Sequence, residues 1–281
     1  MITADQESRE KPAPGDTQCI ELSGADARAF AQAQFSGNLE RLRPGTWQWN
    51  AWLDANGSVR ALMHLACLDG DGSGGERLLA LLRGGDAQAA CAALRRFVLR
   101  AKVSLNVLSG LRRTAGAALP FGEIEVESGA IGFGYGDRGL WLKTNATAIE
   151  PALEHEARLA DIRAGWPTLP PGGGHVFLPP ALGLEHLAAV SFDKGCYPGQ
   201  EIAARLHYRG GHKLRLCHVR ADFPLTAGQP PLPSLPRAIV LDALQTAHGF
   251  EALAVLDESA VNDGIVDAQR SALEIVQRFE A

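Results

Sequence analysis

The chain has 281 residues, a net charge of −5 and a pI near 5.9, and 46% of its residues are hydrophobic. This length predicts two or three packed units rather than one small domain. The acidic balance argues against a dedicated nucleic-acid-binding protein, although it does not exclude a local basic patch. Five widely spaced cysteines without a C-x-x-C pair form neither a disulfide framework nor a self-sufficient metal site, and they indicate a reducing, cytoplasmic compartment.

The N-terminal residues and the apolar runs carry no membrane signal. Residues 1–16 are polar, contain Pro12 and Pro14 and lack an apolar core, so they predict a disordered tail rather than a signal peptide. No apolar run approaches the roughly 20 residues that a membrane-spanning helix needs. We therefore expect no contact with a membrane.

The first predicted elements alternate strands with helices. A strand is predicted at Cys19–Leu22. It is followed by a helix that begins at Asp26 and has apolar positions at Ala29, Phe30 and Ala33. The turn Asp54-Ala55-Asn56-Gly57 is a strong hairpin signal. Further strands are predicted at Trp47–Leu53, Val59–Cys67, Arg77–Leu82 and Val103–Leu108, with a helix from Asp86 between the last two. This order predicts an α+β fold with helices on one side of a sheet.

The second half of the chain repeats this pattern less clearly and then becomes strand-like. Strand and turn alternate from Arg112 to Leu142, and a helix is predicted over Pro151–Arg163. Strands are predicted at Leu214–Val219, Ala238–Leu244 and Phe250–Leu256, interrupted by the proline-rich segment Pro224–Pro236. We therefore predict a two-part body over residues 17–213 and a separate β-barrel or sandwich over residues 214–281.

Two apparent ligand motifs do not fit their context. Residues 134–139 spell G-x-G-x-x-G, but a strand-like segment follows instead of a helix, so a hairpin turn is predicted. Residues 69–74 imitate the first half of a calcium loop, yet Ala80 stands where the bidentate glutamate belongs. The histidines show no regular ligand spacing, and no metal site is predicted.

The segment Ser191–Arg205 is the most informative part of the chain. It places a cysteine between two glycines, close to a lysine and just before a predicted helix start. The residues after Gly199 change to a helical period, so Cys196 would lie just ahead of a helix N-terminus. The helix dipole and the Lys194 ammonium would both favour the ionised thiol, which makes Cys196 a candidate reactive group. The competing interpretation is a small buried hydrophobic residue.

Two arginines follow on the same predicted helix. Arg205 and Arg209 lie four residues apart and would suit a ligand that carries carboxylates. The competing interpretation is a solvated face on which Glu201 pairs with Arg205.

Residues Lys194–Glu201, followed by Arg205 and by Arg209-Gly210, resemble the signature K-G-C-[FY]-x-G-Q-E of the YgfZ-like folate-binding proteins. That family is related in fold to the T-protein, the aminomethyltransferase of the glycine cleavage system. Further matching segments are Leu22–Asp26, Phe30–Phe35, Asp54–Gly57 and Ile162–Pro167. The resemblance extends from about Leu22 to Leu216, and the C-terminal part resembles the family only in its pattern of strands.

The resemblance implies two interlocked ferredoxin-like domains and a C-terminal β-barrel around a central hole that takes tetrahydrofolate or a one-carbon derivative. It implies that Cys196 is the functional thiol and that Lys194 assists it. The folate contacts that it implies are Gln34, Asn38, Tyr197, Gln200, Glu201, Arg205 and Arg209. Members of the family are implicated in the assembly or repair of iron–sulfur clusters. The implied partners are therefore folate and iron–sulfur client proteins such as radical tRNA-modifying enzymes, with no direct nucleic-acid contact.

Three departures from the family pattern leave alternatives open. Ala61-Leu62 stands where T-proteins carry an acidic pair, so the aminomethyl transfer lacks its acid–base group. Arg163 replaces the glutamate that pairs with the pterin, and Pro180 replaces a usual glutamine. The preferred hypothesis is a folate-dependent accessory protein in iron–sulfur cluster maintenance and tRNA modification. The alternatives are a one-carbon transferase acting on an amine, and a folate-binding module in which Cys196 is inert.

Overall fold

A computed structural model describes residues 17–68, 75–144, 150–170, 177–257 and 273–279 of the chain. The predicted tail over residues 1–16 and the calcium-like loop over residues 69–74 lie outside these ranges. In the described residues, strands and helices are mixed and every strand pair is antiparallel. This arrangement confirms the predicted α+β class.

The strands and helices occur along the chain in the predicted order. The strands are β1 (Cys19–Gly24), β2 (Thr46–Leu53), β3 (Val59–Leu68), β4 (Glu76–Leu82), β5 (Ser104–Leu108), β6 (Leu111–Gly116), β7 (Ile124–Glu127), β8 (Ala130–Gly134), β9 (Gly139–Thr144), β10 (Leu214–Ala221), β11 (Ile239–Thr246), β12 (Gly249–Asp257) and β13 (Leu273–Phe279). The helices are α1 (Ala27–Gln34), α2 (Ala87–Arg95), α3 (Pro151–Arg163) and α4 (Gln200–Arg209), with short 3-10 helices at Leu39–Arg41 and Pro179–Leu182. Among the described residues, no helix is long and apolar enough to cross a membrane.

The first sheet has the strand order β2-β3-β4-β1-β5, and α1 and α2 pack on it. The predicted start of α1 is correct, but two of its predicted apolar positions, Ala29 and Ala33, are exposed. The face that packs on the sheet consists of Ala27, Phe30 and Ala31, at the spacing i, i+3 and i+4 that one helical face requires. The apolar alanines outside this stripe simply remain in solvent.

The two helices are capped differently although an aspartate precedes each of them. The Asp86 carboxylate accepts hydrogen bonds from the backbone N–H groups of Gln88 and Ala89, as an N-cap residue does. The Asp26 carboxylate instead accepts a bond of 2.6 Å from the backbone N–H of Lys102, and it does not cap α1. Asp26 therefore fastens the start of α1 to the segment before β5.

Both predicted hairpin turns are present. The turn Asp54–Gly57 joins β2 to β3, with the Gly57 N–H donating to the Asp54 carbonyl at 2.9 Å. The residues that spell G-x-G-x-x-G join β8 to β9, and Gly134 pairs with Gly139 across the strands. The segment is therefore a turn and not a dinucleotide-binding loop.

Two further sheets complete the described fold. The second sheet has the order β6-β9-β8-β7 and is tied to the first, because the Ile124 N–H donates to the Gly45 carbonyl at 2.7 Å. The third sheet has the order β11-β12-β10-β13. None of the three sheets closes on itself within the described residues, so the barrel and the interlocked ferredoxin-like domains stay predictions. One central apolar core contacts all three sheets and includes Trp47, Leu142 and Val255.

Candidate functional site

The loop that carries Cys196 runs from Ser191 to Gly199, immediately before α4. Cys196 is an exposed free thiol, whereas Cys19, Cys67, Cys91 and Cys217 are all buried. Because α4 begins at Gln200, the predicted position of the cysteine ahead of a helix N-terminus is confirmed. The interpretation of Cys196 as a buried hydrophobic residue is wrong.

Lys194 attaches this loop to the segment that follows α1. Its ammonium donates hydrogen bonds to the backbone carbonyls of Phe35, at 2.6 Å, and Gly37, at 2.8 Å. The same ammonium lies 5.1 Å from the centre of the Tyr197 ring, a distance at which a cation and an aromatic face attract. Burial lowers the pKa of Lys194 to about 8. The ammonium therefore holds two chain segments together beside the thiol.

A contact between two glycines fixes the end of the loop. Gly199 has φ +75°, and a Cβ atom built on it would lie 2.5 Å from the Asp54 carbonyl oxygen and 2.8 Å from the Gly57 Cα. Gly57 has φ +79°, and its own Cβ would lie 2.9 Å from the Cβ of Ile202. The hairpin turn and the cysteine motif, far apart in sequence, thus meet at two positions that only glycine fits. Gly195 has no such constraint, because a Cβ there would meet no atom within 4 Å.

The segment after α1 lies between the Cys196 loop and β2. The Ser36 hydroxyl donates to the Ala189 carbonyl at 2.7 Å, and the Gly37 N–H donates to the Asn50 side-chain oxygen at 2.7 Å. Asn50 is fully buried, and its side-chain NH₂ has no hydrogen-bond partner among the described residues. The side-chain oxygen of Gln34 is likewise buried and unpaired in the described part of the chain. The two elements that flank this segment, α1 and β2, therefore carry one unpaired buried acceptor and one unpaired buried donor.

The predicted contact residues fall into two groups. Tyr197 is buried and donates to the Ser191 carbonyl at 3.2 Å, and burial raises its pKa to about 12. The Asn38 side-chain oxygen accepts from the Glu40 N–H at 3.0 Å and caps the first 3-10 helix. Gln200 is half-buried at the start of α4.

The second group lies on the outer face of α4. It consists of Glu201, Arg205 and Arg209, which are all exposed. Among the described residues no ion pair joins Glu201 to Arg205, so the pairing of the competing interpretation is not formed. The structure thus brings Lys194 and Tyr197 together in the loop, joins Lys194 to the segment that directly follows Gln34, and leaves these three charged residues in solvent.

The departures from the family pattern have structural counterparts. The Arg163 guanidinium donates to both carboxylate oxygens of Glu251, at 2.9 and 2.7 Å, and so fastens α3 to the third sheet. Pro180 lies in the second 3-10 helix, where its carbonyl accepts from the Gly183 N–H. Ala61 and Leu62 are buried apolar residues of β3.

An aromatic cluster surrounds His64, and the sequence patterns did not predict it. The ring centre of His64 lies 4.3 Å from that of Trp47, 4.2 Å from Trp49, 5.3 Å from Tyr135 and 5.8 Å from Trp166. The Tyr135 hydroxyl and the His64 Nδ1 share a hydrogen bond of 2.9 Å. Burial, together with nearby guanidinium groups, holds the pKa of His64 well below its usual range, so this histidine is neutral. The alternation of Trp47 and Trp49 in β2 was the available sequence signal.

An ion-pair network borders this cluster. Arg83 and Arg138 each donate to one oxygen of the Asp161 carboxylate, at 2.8 and 2.5 Å. The Arg138 guanidinium also lies 5.1 Å from the Trp166 ring centre. The network joins β4 and α3 to the turn between β8 and β9, and we interpret it as structural. Within the described residues, no three His, Cys, Asp or Glu side chains are placed to hold a metal ion.

Comparisons with known proteins give the chain its relatives. It is 29% identical to an uncharacterized protein of Haemophilus influenzae over 205 residues. This alignment covers 70% of this chain and 68% of that protein. It is 28% identical to the tRNA-modifying protein YgfZ of Escherichia coli O157:H7 over 223 residues. This alignment covers 69% of this chain and 67% of that protein. It is 38% identical to the YgfZ of Sodalis glossinidius over 91 residues. This alignment covers 29% of this chain and 28% of that protein. No protein-family model matches the chain.

A solved structure supports the same fold. The crystal structure of the glycine cleavage system aminomethyltransferase T from Bartonella henselae superposes with a TM-score of 0.64, and the match covers 93% of this chain and 83% of that chain. The sequence identity is 13%, so this likeness shows the fold alone. The two comparisons together confirm the resemblance on which the sequence analysis relied.

Proposed function

We propose that this chain, a homologue of the YgfZ proteins with the aminomethyltransferase fold, is a tetrahydrofolate-binding accessory protein in iron–sulfur cluster assembly or repair and tRNA modification. The observation that carries the proposal is the exposed thiol of Cys196 in a loop fixed at both ends. Lys194 bonds one part of the loop to the segment after α1, and Gly199 packs on Gly57. A loop held in this way presents one thiol at a defined position, which a merely structural cysteine does not require.

The unpaired polar groups of Gln34 and Asn50 have the hydrogen-bonding roles that a reduced folate can complement. A pteridine ring carries both hydrogen-bond donors and acceptors, and buried polar groups cost free energy unless they are paired. The Gln34 oxygen can accept such a bond and the Asn50 NH₂ can donate one, so each has the complementary role. Arg205, on the exposed face of α4, is the candidate partner for the glutamate tail of the folate.

Cys196 would supply a sulfur ligand for iron, which a folate does not have. Cysteine sulfur is a soft ligand of the kind that holds iron in iron–sulfur clusters, and Cys196 presents its thiol to solvent just ahead of α4. In this proposal the chain binds folate through one group of residues and handles iron or sulfur through another. The expected location is the cytoplasm, and the expected clients are iron–sulfur enzymes that modify tRNA.

A one-carbon transferase is the weaker candidate. The T-protein reaction needs a carboxylate near the reacting amine, and the corresponding positions Ala61 and Leu62 are apolar and buried. Turnover of an aminomethyl donor by the purified protein would overturn this preference.

The experiment that tests the proposal separates the thiol from the folate site. Cys196→Ala should bind tetrahydrofolate like the wild type but fail to restore tRNA modification in an Escherichia coli strain that lacks YgfZ. Cys217→Ala, which removes a buried thiol, is the matched control and should restore modification. Restoration by Cys196→Ala equal to that by the wild type would contradict a functional thiol. Absence of any heat or thermal shift with reduced folates at millimolar concentration would remove the folate part, since ligand in excess of Kd raises apparent stability.

A further inference from the structure

The outer face of α4 carries an exposed tyrosine among cations. Tyr208 is 72% exposed, Arg205 precedes it by three residues, and Arg209 follows it directly. Residues three or four apart share one face of a helix, so Arg205 lies beside both Tyr208 and Arg209. Lys213, just beyond the helix, is also exposed. We call Arg205, Tyr208, Arg209 and Lys213 the α4 patch.

The charge of the α4 patch is opposite to that of the chain. From Ile202 to Arg220 the sequence contains no Asp or Glu, whereas the whole chain has a net charge of −5. The nearby carboxylate of Glu185 is occupied, because it is bonded at 2.7 Å to the ring of His207, and Glu201 lies in the first turn of α4 at the far end from Lys213. Among the described residues, no ion pair includes Arg205, Arg209 or Lys213.

The Tyr208 ring is supported from behind by a stack of rings. Phe192 and His207 are stacked with ring centres 4.3 Å apart, and the His207 ring meets that of Tyr208 edge-on at 4.6 Å. The end of the helix beside them is open. A Cβ atom built on Gly210 or Gly211 would meet none of the described atoms within 4 Å. The tyrosine is thus oriented by its neighbours while its outer side faces solvent.

We infer that the α4 patch binds an unpaired segment of RNA. Guanidinium and ammonium groups bind phosphates, and an exposed aromatic ring stacks on a base that is not paired. An unpaired RNA segment supplies phosphates for the cations and a base for the ring, so it matches both features of the patch. The net charge of the whole chain argues against nucleic-acid binding, but the local charge decides contact at this surface. The inference rests on the proposed function, in which the clients of this chain are enzymes that act on tRNA.

Fluorescence anisotropy with a labelled single-stranded RNA oligonucleotide and a duplex of the same sequence tests this inference. The wild type should bind the single strand more tightly than the duplex, and binding should weaken as salt rises. Tyr208→Ala should weaken binding about fivefold or more, whereas Tyr208→Phe, which keeps the ring, should not. Lys213→Ala should reduce the slope of log K against log salt concentration by about 0.7, which is the contribution of one phosphate contact on a single strand.

Lys102→Ala is the matched control, because it removes an exposed lysine far along the chain from the α4 patch. It should leave the salt slope unchanged. The inference is overturned if the wild type binds no RNA at low salt, if duplex binds as tightly as single strand, or if Tyr208→Ala or Lys213→Ala behaves like Lys102→Ala. Neither Tyr208 nor Lys213 is a proposed folate contact, so folate titration of these variants distinguishes the two proposals: loss of RNA binding with intact folate binding supports the α4 patch, and wild-type RNA binding without folate binding contradicts only the folate proposal.

Discussion

Replacement of Gly199 by alanine should destabilise the protein through one identified contact. The residue has φ +75°, where alanine is disfavoured, and the added methyl group would lie 2.5 Å from the Asp54 carbonyl oxygen and 2.8 Å from the Gly57 Cα. Both atoms belong to the backbone of a tight hairpin turn, so no flexible side chain can move aside. The turn and the loop must separate instead.

The size of the effect follows from these two causes. A non-glycine residue in a left-handed conformation costs about 1 kcal/mol or more, and overpacking against fixed atoms adds about 1–3 kcal/mol. We therefore expect Gly199→Ala to lower the free energy of unfolding by about 2–4 kcal/mol, which corresponds to a fall in Tm of roughly 5–15 °C for a chain of this size. Scanning calorimetry measures the change.

Gly195→Ala is the matched control within the same motif. Its φ is not in the left-handed region and its Cβ would meet no atom within 4 Å, so its Tm should stay within about 2 °C of the wild type. Equal Tm values for the two variants would refute the glycine-to-glycine contact. A large loss at Gly195 with none at Gly199 would refute the described loop conformation.

Three further predictions concern single groups. The carboxyl of Glu251 has its pKa lowered from 4.5 to about 2, first by its hydrogen bonds to an arginine, so its stabilisation is fully present above pH 4.5 and is lost as the pH falls towards 2. Glu251→Gln should remove about 1–3 kcal/mol at pH 7 and flatten this acid dependence in urea unfolding curves; an unchanged acid limb would contradict the ion pair. Iodoacetamide should label Cys196 faster than any other cysteine of the native protein, and Lys194→Ala should slow that labelling, as mass spectrometry across pH 6–9 can measure; an unaffected rate would remove the proposed activation by the ammonium. Tyr135→Phe leaves the buried Nδ1 of His64 without its partner and should cost about 1–3 kcal/mol, whereas no loss in urea unfolding would argue against that hydrogen bond.

Local patterns were sufficient to predict most of the elements near the site. The turn Asp54–Gly57 was predicted because its residues favour a tight turn, and α3 follows its predicted bounds Pro151–Arg163 because proline is tolerated at a helix start. The position of Cys196 ahead of α4 was also predicted, since glycine and proline mark the turn before the helix, whereas its exposure was one of two interpretations that the sequence left open. These features depend on neighbours in sequence.

Features that depend on distant residues were not predictable in this way. Asp26 has the sequence signal of an N-cap residue, but its carboxylate is taken by the backbone of Lys102, which no local pattern specifies. The ion pair between Glu201 and Arg205, which the sequence allowed as a competing interpretation, is not formed in the described structure, because exposed pairs of this kind contribute little free energy. The contact of Gly199 with Gly57 appears only once the chain is folded.

The aromatic cluster illustrates the same limit. Its rings come from β2, β3, the turn after β8 and the segment after α3, so they approach one another only through the packing of separate sheets. The sequence showed alternating tryptophans in β2 but not that His64 would lie between them and Tyr135. Non-local packing, rather than residue type, determines this part of the site.

Calorimetric titration of tetrahydrofolate into the wild type and Asn50→Asp tests the central claim most directly. The aspartate keeps the oxygen that accepts from the Gly37 N–H but replaces the open NH₂ donor, and Asn106→Asp makes the same change at an exposed position. We predict saturable binding to the wild type and to Asn106→Asp, and binding about 5- to 150-fold weaker to a folded Asn50→Asp, since an unmatched buried polar group costs about 1–3 kcal/mol. Equal affinity of all three proteins would contradict the assignment of Asn50, and no binding to the wild type would contradict the folate site itself.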